Sequence, residues 1–282
     1  MNKAWVAKGL IVALLLAMVA VAGAVPKHVQ AQTEASMLLT GKISIHADGS
    51  VSGYEIDHED QVPAHVLSNL AQWVPAWRFK PVVVEGKAVP ARARMTLRML
   101  AMPMGDGKFN ISIASTNFGN DDALPTDEIR SLRMQPPAYP EDIFRAGGQG
   151  IAYLLLKIGR EGTVDDVVVE RVNLGAYASE RRMANFRKRM SAVAVAAAKR
   201  WTFVPPTTGT LAQQPWWAVR VPVDFNLGEE REVVYGQWVA YLPGPYQRPP
   251  WLSGDDSGSD ALAGGAIYTV GSGLVLLTPL RG

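Results

Sequence analysis

The chain contains no cysteine. That excludes disulfides, zinc–thiolate sites, thiol catalysis and a lipidated amino-terminal cysteine. Histidine is scarce, with His28, His46, His58 and His65 all in the first quarter of the sequence. His58 and His65 stand too far apart for the i, i+4 pair of a helical metalloprotease site. No Gly-x-Ser-x-Gly elbow, glycine-rich phosphate loop or Ser-x-x-Lys pair occurs. His46, Asp48 and His58 surround one predicted hairpin, where polar residues are the default. The expectation is therefore no enzyme, no metal and no cofactor. Charge is also modest, at 19% of residues, and acid is absent from the first 31 positions. Three of the 28 basic residues, Lys3, Lys8 and Lys27, lie there, so the remainder sets 25 basic against 26 acidic residues. A nucleic-acid-binding protein keeps a basic excess, so that partner is excluded.

Only one long apolar run exists, Leu10 to Val25, behind Lys3 and Lys8. Small residues follow at Ala22-Gly23-Ala24 and again up to Ala31. This is the order of a secretory signal, and residues 1–31 are expected to be a cleaved leader, cut after Ala24 or Ala31. The alternative is an uncleaved inner-membrane anchor, since the run of 16 residues falls just short of a span of about 17–25. Either way the chain is exported to the periplasm, and a membrane contact is expected only if the leader is retained.

What the chain does have is a repeat. Asp48-Gly49-Ser50-Val51 is followed by Trp77-Arg78-Phe79-Lys80-Pro81, and Glu161-Gly162-Thr163-Val164 by Trp201-Thr202-Phe203-Val204-Pro205. The interval from glycine to tryptophan is 28 residues in the first copy and 39 in the second, which carries a longer helix. Each copy opens with a hairpin turning at its acid-glycine pair. A helix follows: Leu67, Leu70 and Val74 in the first copy, and Met183, Phe186, Met190, Val193 and Ala197 in the second, keep helical spacing. An alternating strand closes each copy, at 92–99 and at 219–225, with one face buried and one wet. The fold class is α+β, two small antiparallel sheets each covered by a helix. The expected divisions are 37–101 for the first unit, 102–127 for a polar connector with a short strand at 109–113, and 128–228 for the second unit. Residues 229–282 read as a Pro/Gly-rich acidic tail, flexible over 253–265, with a possible strand at 274–280.

Two features suggest recognition. Arg181, Arg182, Arg187, Lys188 and Arg189 form the densest basic run. It reads as a solvated helix face, with docking of an acidic partner or anionic lipid as the alternative. Pro222 lies in the second closing strand, and proline in a sheet is confined to edges or bulges. An edge offers unpaired N–H and C=O groups that an extended peptide completes by strand addition. Residues 218–227 are therefore the expected partner-binding edge, open, blunted by Pro222 or covered by the tail.

Tyr139-Pro140, then Gly147 and Gly150, then the Glu161, Trp201 and Val219-to-Phe225 motifs, resemble in order and spacing the carboxy-terminal domain of TonB-type energy transducers. The resemblance covers 136–227. The first copy matches it less completely and lacks the Tyr-Pro entry, which makes the arrangement a tandem. The family implies a periplasmic domain that takes an extended peptide from an outer-membrane receptor, an inner-membrane anchor and a proton-driven motor. It implies as partner-binding residues Tyr139, Pro140, Arg220, Val221, Pro222, Val223, Asp224, Phe225 and Asn226. Two features depart from its pattern: there is no long Pro-rich spacer, and the leader's apolar run lacks the Ser and His that the family places in its membrane helix. The reading at this point is a periplasmic binding module for an envelope protein or extended peptide, with the anchored energy transducer as the alternative and an enzyme with a dispersed site as a second one.

Overall fold

The computed structural model describes residues 29, 31–105, 108–120, 126–226, 235–252 and 266–280. Nearly all of the leader, Leu227 and the stretch 253–265 lie outside the described residues. Among the described residues, no helix is long and apolar enough to cross a membrane.

The first half contributes β1 (Glu34–Ile45), β2 (Val51–Ile56), α1 (Ala64–Trp73), β3 (Val82–Val84), β4 (Lys87–Val89), β5 (Ala91–Gly105) and β6 (Lys108–Asn120). The second contributes β7 (Arg130–Arg133), α2 (Glu141–Arg145), β8 (Gly150–Ile158), β9 (Val164–Leu174), α3 (Glu180–Ala198), β10 (Thr202–Val204) and β11 (Trp217–Phe225). The tail adds β12 (Val239–Tyr241) and β13 (Tyr268–Thr269). One antiparallel sheet runs β12-β1-β5-β6 with β2 also on β1, and another runs β13-β11-β8-β9. The class is α+β, with α1 over the first sheet and α3 over the second.

The repeated motifs are held together by one contact made twice. Gly49 and Gly162 turn their hairpins at φ of 83° and 75°. The Gly49 carbonyl accepts from the Phe79 N–H at 2.8 Å, and the Gly162 carbonyl from the Phe203 N–H, also at 2.8 Å. A Cβ on either glycine would sit 2.0 Å from the Phe79 carbonyl oxygen or 2.1 Å from that of Phe203. The turn must therefore be glycine for its dihedral and for the close approach alike. The aromatic pairs sit in the two cores: Trp77 and Phe79 are buried with Phe118, while Trp201 and Phe203 are buried with Phe186. The Trp201 indole donates to the Gln135 carbonyl at 2.7 Å.

Below the first sheet, Val66, Leu70 and Val74 of α1 and its following turn are fully buried, with Leu67 beside them. Pro63 is the residue before the helix, where its missing N–H costs nothing. Below the second sheet, α3 buries Met183, Phe186, Met190, Ala194 and Ala197 against the strands.

Three segments differ from the sequence expectation. Residues 102–105 and 108–120 are a long hairpin in which β6 extends the first sheet, pairing from Lys108 opposite Gly105 to Asn120 opposite Ala93. The expected short strand at 109–113 is its first part, with Phe109, Ile111 and Ile113 packed on the first core, while the Ser, Thr, Asn and Gly content beyond Ile113 hid the rest. The expected wet faces are also partly dry. Arg98 reaches from the first sheet to Ser36 Oγ at 2.9 Å and to the Tyr153 hydroxyl of the second at 2.8 Å. Arg220 is buried too, for the reason given below. Finally, the tail is structural. Trp238 enters the first core, Leu242 the second, and 274–278 lie along Arg78 to Lys80, so the expected strand at 274–280 is only a single bridge at Leu276.

Candidate functional site

β11 pairs with β8 along its whole length, from Trp217 opposite Ile158 to Phe225 opposite Gly150. Its other side is where a partner strand would add. Directions along that side follow from one contact: the Val270 N–H donates to the Ala218 carbonyl at 2.8 Å. In an antiparallel strand the outward direction recurs every second residue, so Ala218, Arg220, Pro222 and Asp224 present their backbone groups away from β8. β13 takes the first two, with Val219 opposite Thr269 and Arg220 opposite Tyr268. Past Arg220 no strand is paired with this side among the described residues. Pro222 occupies an outward position, so its missing N–H deprives β8 of nothing. The open stretch thus offers the Pro222 carbonyl and both backbone groups of Asp224.

The side chains named from the sequence divide sharply. Val221, Val223 and Phe225 point into the core with Val219. Arg220 is 1% exposed and meets an equally buried Glu170 in a two-bond ion pair, Nε to Oε2 at 2.8 Å and Nη2 to Oε1 at 3.0 Å. The Tyr246 hydroxyl closes over it at 3.3 Å from Glu170 Oε1. Arg220 is therefore structural here, and only its backbone faces the edge. Pro222 is buried, whereas Asp224 and Asn226 are exposed and bonded to each other at 2.8 Å.

Tyr139 and Pro140 lie at the far end of the same strand. Pro140 is buried and precedes α2. The Tyr139 ring meets Phe225 edge-on at 5.6 Å, and its hydroxyl lies against the carbonyls of Gly148 and Phe225. Burial, and secondarily the Asp224 carboxylate, push the Tyr139 phenol up to about 12. It stays protonated and locks the strand end. Phe144 of α2, which sequence reasoning passed over, meets Tyr139 at 5.7 Å and is 54% exposed. No periodic signal marks it, because α2 has only five residues. The candidate site is thus a short open backbone edge, closed at one end by the tail and flanked at the other by an exposed ring.

No family model matches the chain. It is 35% identical over 100 residues to Protein TonB of Xanthomonas campestris pv. campestris, covering 36% of this chain and 39% of that protein. It is 29% identical over 103 residues to Protein tonB2 of Pseudomonas aeruginosa, covering 36% of this chain and 33% of that protein. This chain carries a TonB C-terminal-like domain. The chain spans 39% of the first of these TonB relatives. The solution NMR structure of the Pseudomonas aeruginosa TonB C-terminal domain aligns at 23% identity and a TM-score of 0.26, covering 38% of this chain and 95% of that one.

Proposed function

We propose that the chain is a TonB-type energy transducer for outer-membrane transport, whose second unit, 128–228, takes an extended segment of a receptor along Pro222 to Asn226. The observation that carries this reading is the 35% identity over 100 residues to a protein named TonB, together with the resemblance of 136–227 to the carboxy-terminal domain of TonB-type energy transducers. The half-open edge of β11 supports the mode of capture. Main-chain hydrogen bonds supply affinity there, and Phe144 supplies an apolar contact beside them. The role is one of binding and transport, not of catalysis.

In this reading the leader is retained as an inner-membrane anchor and the described residues face the periplasm. A free periplasmic module is the second reading, favoured by the small residues at Ala22-Gly23-Ala24 and by the missing Pro-rich spacer. Fractionation with intact-mass analysis separates the two: the transducer gives a full-length, carbonate-resistant membrane species. A soluble form cut after Ala24 or Ala31 leaves only the binding module. Cross-linked pull-down from intact cells identifies the partner, and recovery of no outer-membrane receptor defeats the transport reading.

A further inference from the structure

The opposite edge of the same sheet has a different character. Among the described residues, β9 is its last strand, paired along its length with β8. The tail already runs antiparallel along its carboxy-terminal half: Leu174 and Leu242 exchange two hydrogen bonds at 3.0 and 2.8 Å, and the Gln247 N–H donates to the Glu170 carbonyl at 2.7 Å. Gly244 makes this approach possible, since a Cβ there would lie 2.3 Å from the Val172 carbonyl oxygen. This edge is therefore built to receive a strand.

Past Gln247 the tail leaves the edge. It turns at Pro249 to Leu252 and stacks Trp251 edge-on against Trp216 on the sheet face away from α3. Among the described residues, the amino-terminal half of β9 has no strand neighbour on its outer side. Leu154 and Leu156 bond toward β11, so their β9 partners, Val169 and Val167, face outward. The Val167 N–H is met by the carboxylate of its own neighbour, Asp166 Oδ1, at 2.8 Å. A side chain stands where a strand carbonyl would.

Between this half-edge and α3 lies a groove of about 430 Å³. Val167, Val169 and Val195 make its apolar walls, Ser191 and Lys188 line the helix side, and Pro245 of the tail stops one end. Arg187 at that end is already engaged by the carbonyls of Val172, Leu242 and Pro243. Lys188 is exposed and makes no hydrogen bond or ion pair among the described residues. Within α3 five basic residues stand against one acidic residue, and among the described residues only Arg189 has a carboxylate partner, Asp142 at 3.0 Å.

We infer that the groove between β9 and α3 is a second strand-acceptor site, taking an extended segment of a partner protein in which apolar residues alternate with acidic ones. The apolar side chains of such a segment enter between the valines, its backbone pairs with Val167 and Val169, and a carboxylate meets Lys188. A flat anionic bilayer reaches Lys188 and the outer basic residues, but it has no main chain to pair with the edge. The site is independent of the β11 reading, because it lies on the other side of the sheet.

The test uses the full chain and a synthetic peptide of roughly eight residues alternating Val and Glu, a length typical of a strand. Its Val/Lys counterpart and phosphatidylglycerol vesicles serve as controls. Hydrogen exchange should slow at 167–169 with the acidic peptide alone. Lys188→Glu should weaken binding roughly five- to tenfold, as expected for reversing an exposed charge. Val169→Pro, which removes one outward N–H and no β8 bond, should weaken it further. Asp224→Pro, on the β11 edge, should leave it unchanged. Equal binding of the lysine peptide, protection confined to 222–226, or a Lys188→Glu effect seen with vesicles and not with the peptide would each overturn the assignment.

Discussion

Single side chains carry more structure here than their residue types announce. Arg220 and Glu170 are 1% exposed and doubly bonded, so neither charge reaches water. Removing one partner strands the other. Arg220→Ala is expected to cost about 3–5 kcal/mol in denaturant unfolding. The double replacement Arg220→Met with Glu170→Leu should come close to wild-type stability, because apolar residues of similar volume avoid the desolvation of both ions. A double variant as unstable as the single one would mean that the pair does more than neutralise itself. His65 supplies a pH dependence. Burial holds its imidazole below the ordinary 6.5, and Nε2 is enclosed without a hydrogen-bond partner. The unfolded chain then binds a proton that the folded chain resists, so this contribution to stability falls as pH drops below about 6.5. His65→Gln should flatten the melting temperature between roughly pH 6.5 and 5 relative to wild type. An unchanged slope assigns the acid sensitivity elsewhere.

Among the strands and helices, the repeat was legible because its parts are local and chemically particular. An acid-glycine turn and a Trp-x-Phe segment are each readable, and the pairing of Gly49 with Phe79 and Gly162 with Phe203 explains why they come together. The helical stripe in α3 was readable for the same reason of strict period. β6 was readable only over 109–113, since beyond Ile113 its positions are mostly Ser, Thr, Asn and Gly and its pairing with Ala93 to Arg98 shows only once the β5–β6 hairpin has formed. The alternation in β11 correctly assigns Val219, Val221, Val223 and Phe225 to the core, but says nothing of what covers the other face. The outward set Ala218, Arg220, Pro222 and Asp224 sharpens the test of the edge. Asp224→Pro removes the outward N–H at the centre of the open stretch and should lower affinity for a receptor peptide about tenfold, with native circular dichroism. Asp224→Asn keeps that N–H and serves as control. Binding indifferent to Asp224→Pro would exclude this edge as the capture site.

The tail binds the molecule together. Between Tyr235 and Leu242 it places Trp238 in the first core, pairs β12 with β1 and hands Leu242 to the second core. Tyr241 also bonds to Glu34 Oε2 at 2.7 Å. A chain ending at Gly228 loses these contacts. Burial of Trp238 and Leu242 alone is worth about 3–6 kcal/mol, so the shortened chain should melt well below the full one and expose both cores. Melting within a degree or two of the full chain would mean that the tail only lies on the surface. We propose 37–101 and 128–228 as the two units, with first proteolytic cuts at 253–265 and cuts at 102–127 slowed by the β5–β6 pairing. Early cleavage inside 150–225 would contradict those boundaries.

The amino-acid order by itself determined the α+β class, the two turns, the core-facing positions of α3 and β11, and the family likeness. The turns and the core-facing positions depend on spacing within about ten residues, where periodicity and turn chemistry act directly, and the class and the likeness on the order in which such local motifs follow one another. The tertiary structure alone decided which backbone groups of β11 are open, that Arg220 is buried against Glu170, and that Tyr139 locks a strand end. It also decided that the tail lies along both edges of the second sheet. Each of these comes from contact between segments tens of residues apart. Such contacts follow from which surfaces meet once the sheets have formed, and no local pattern in the chain records that.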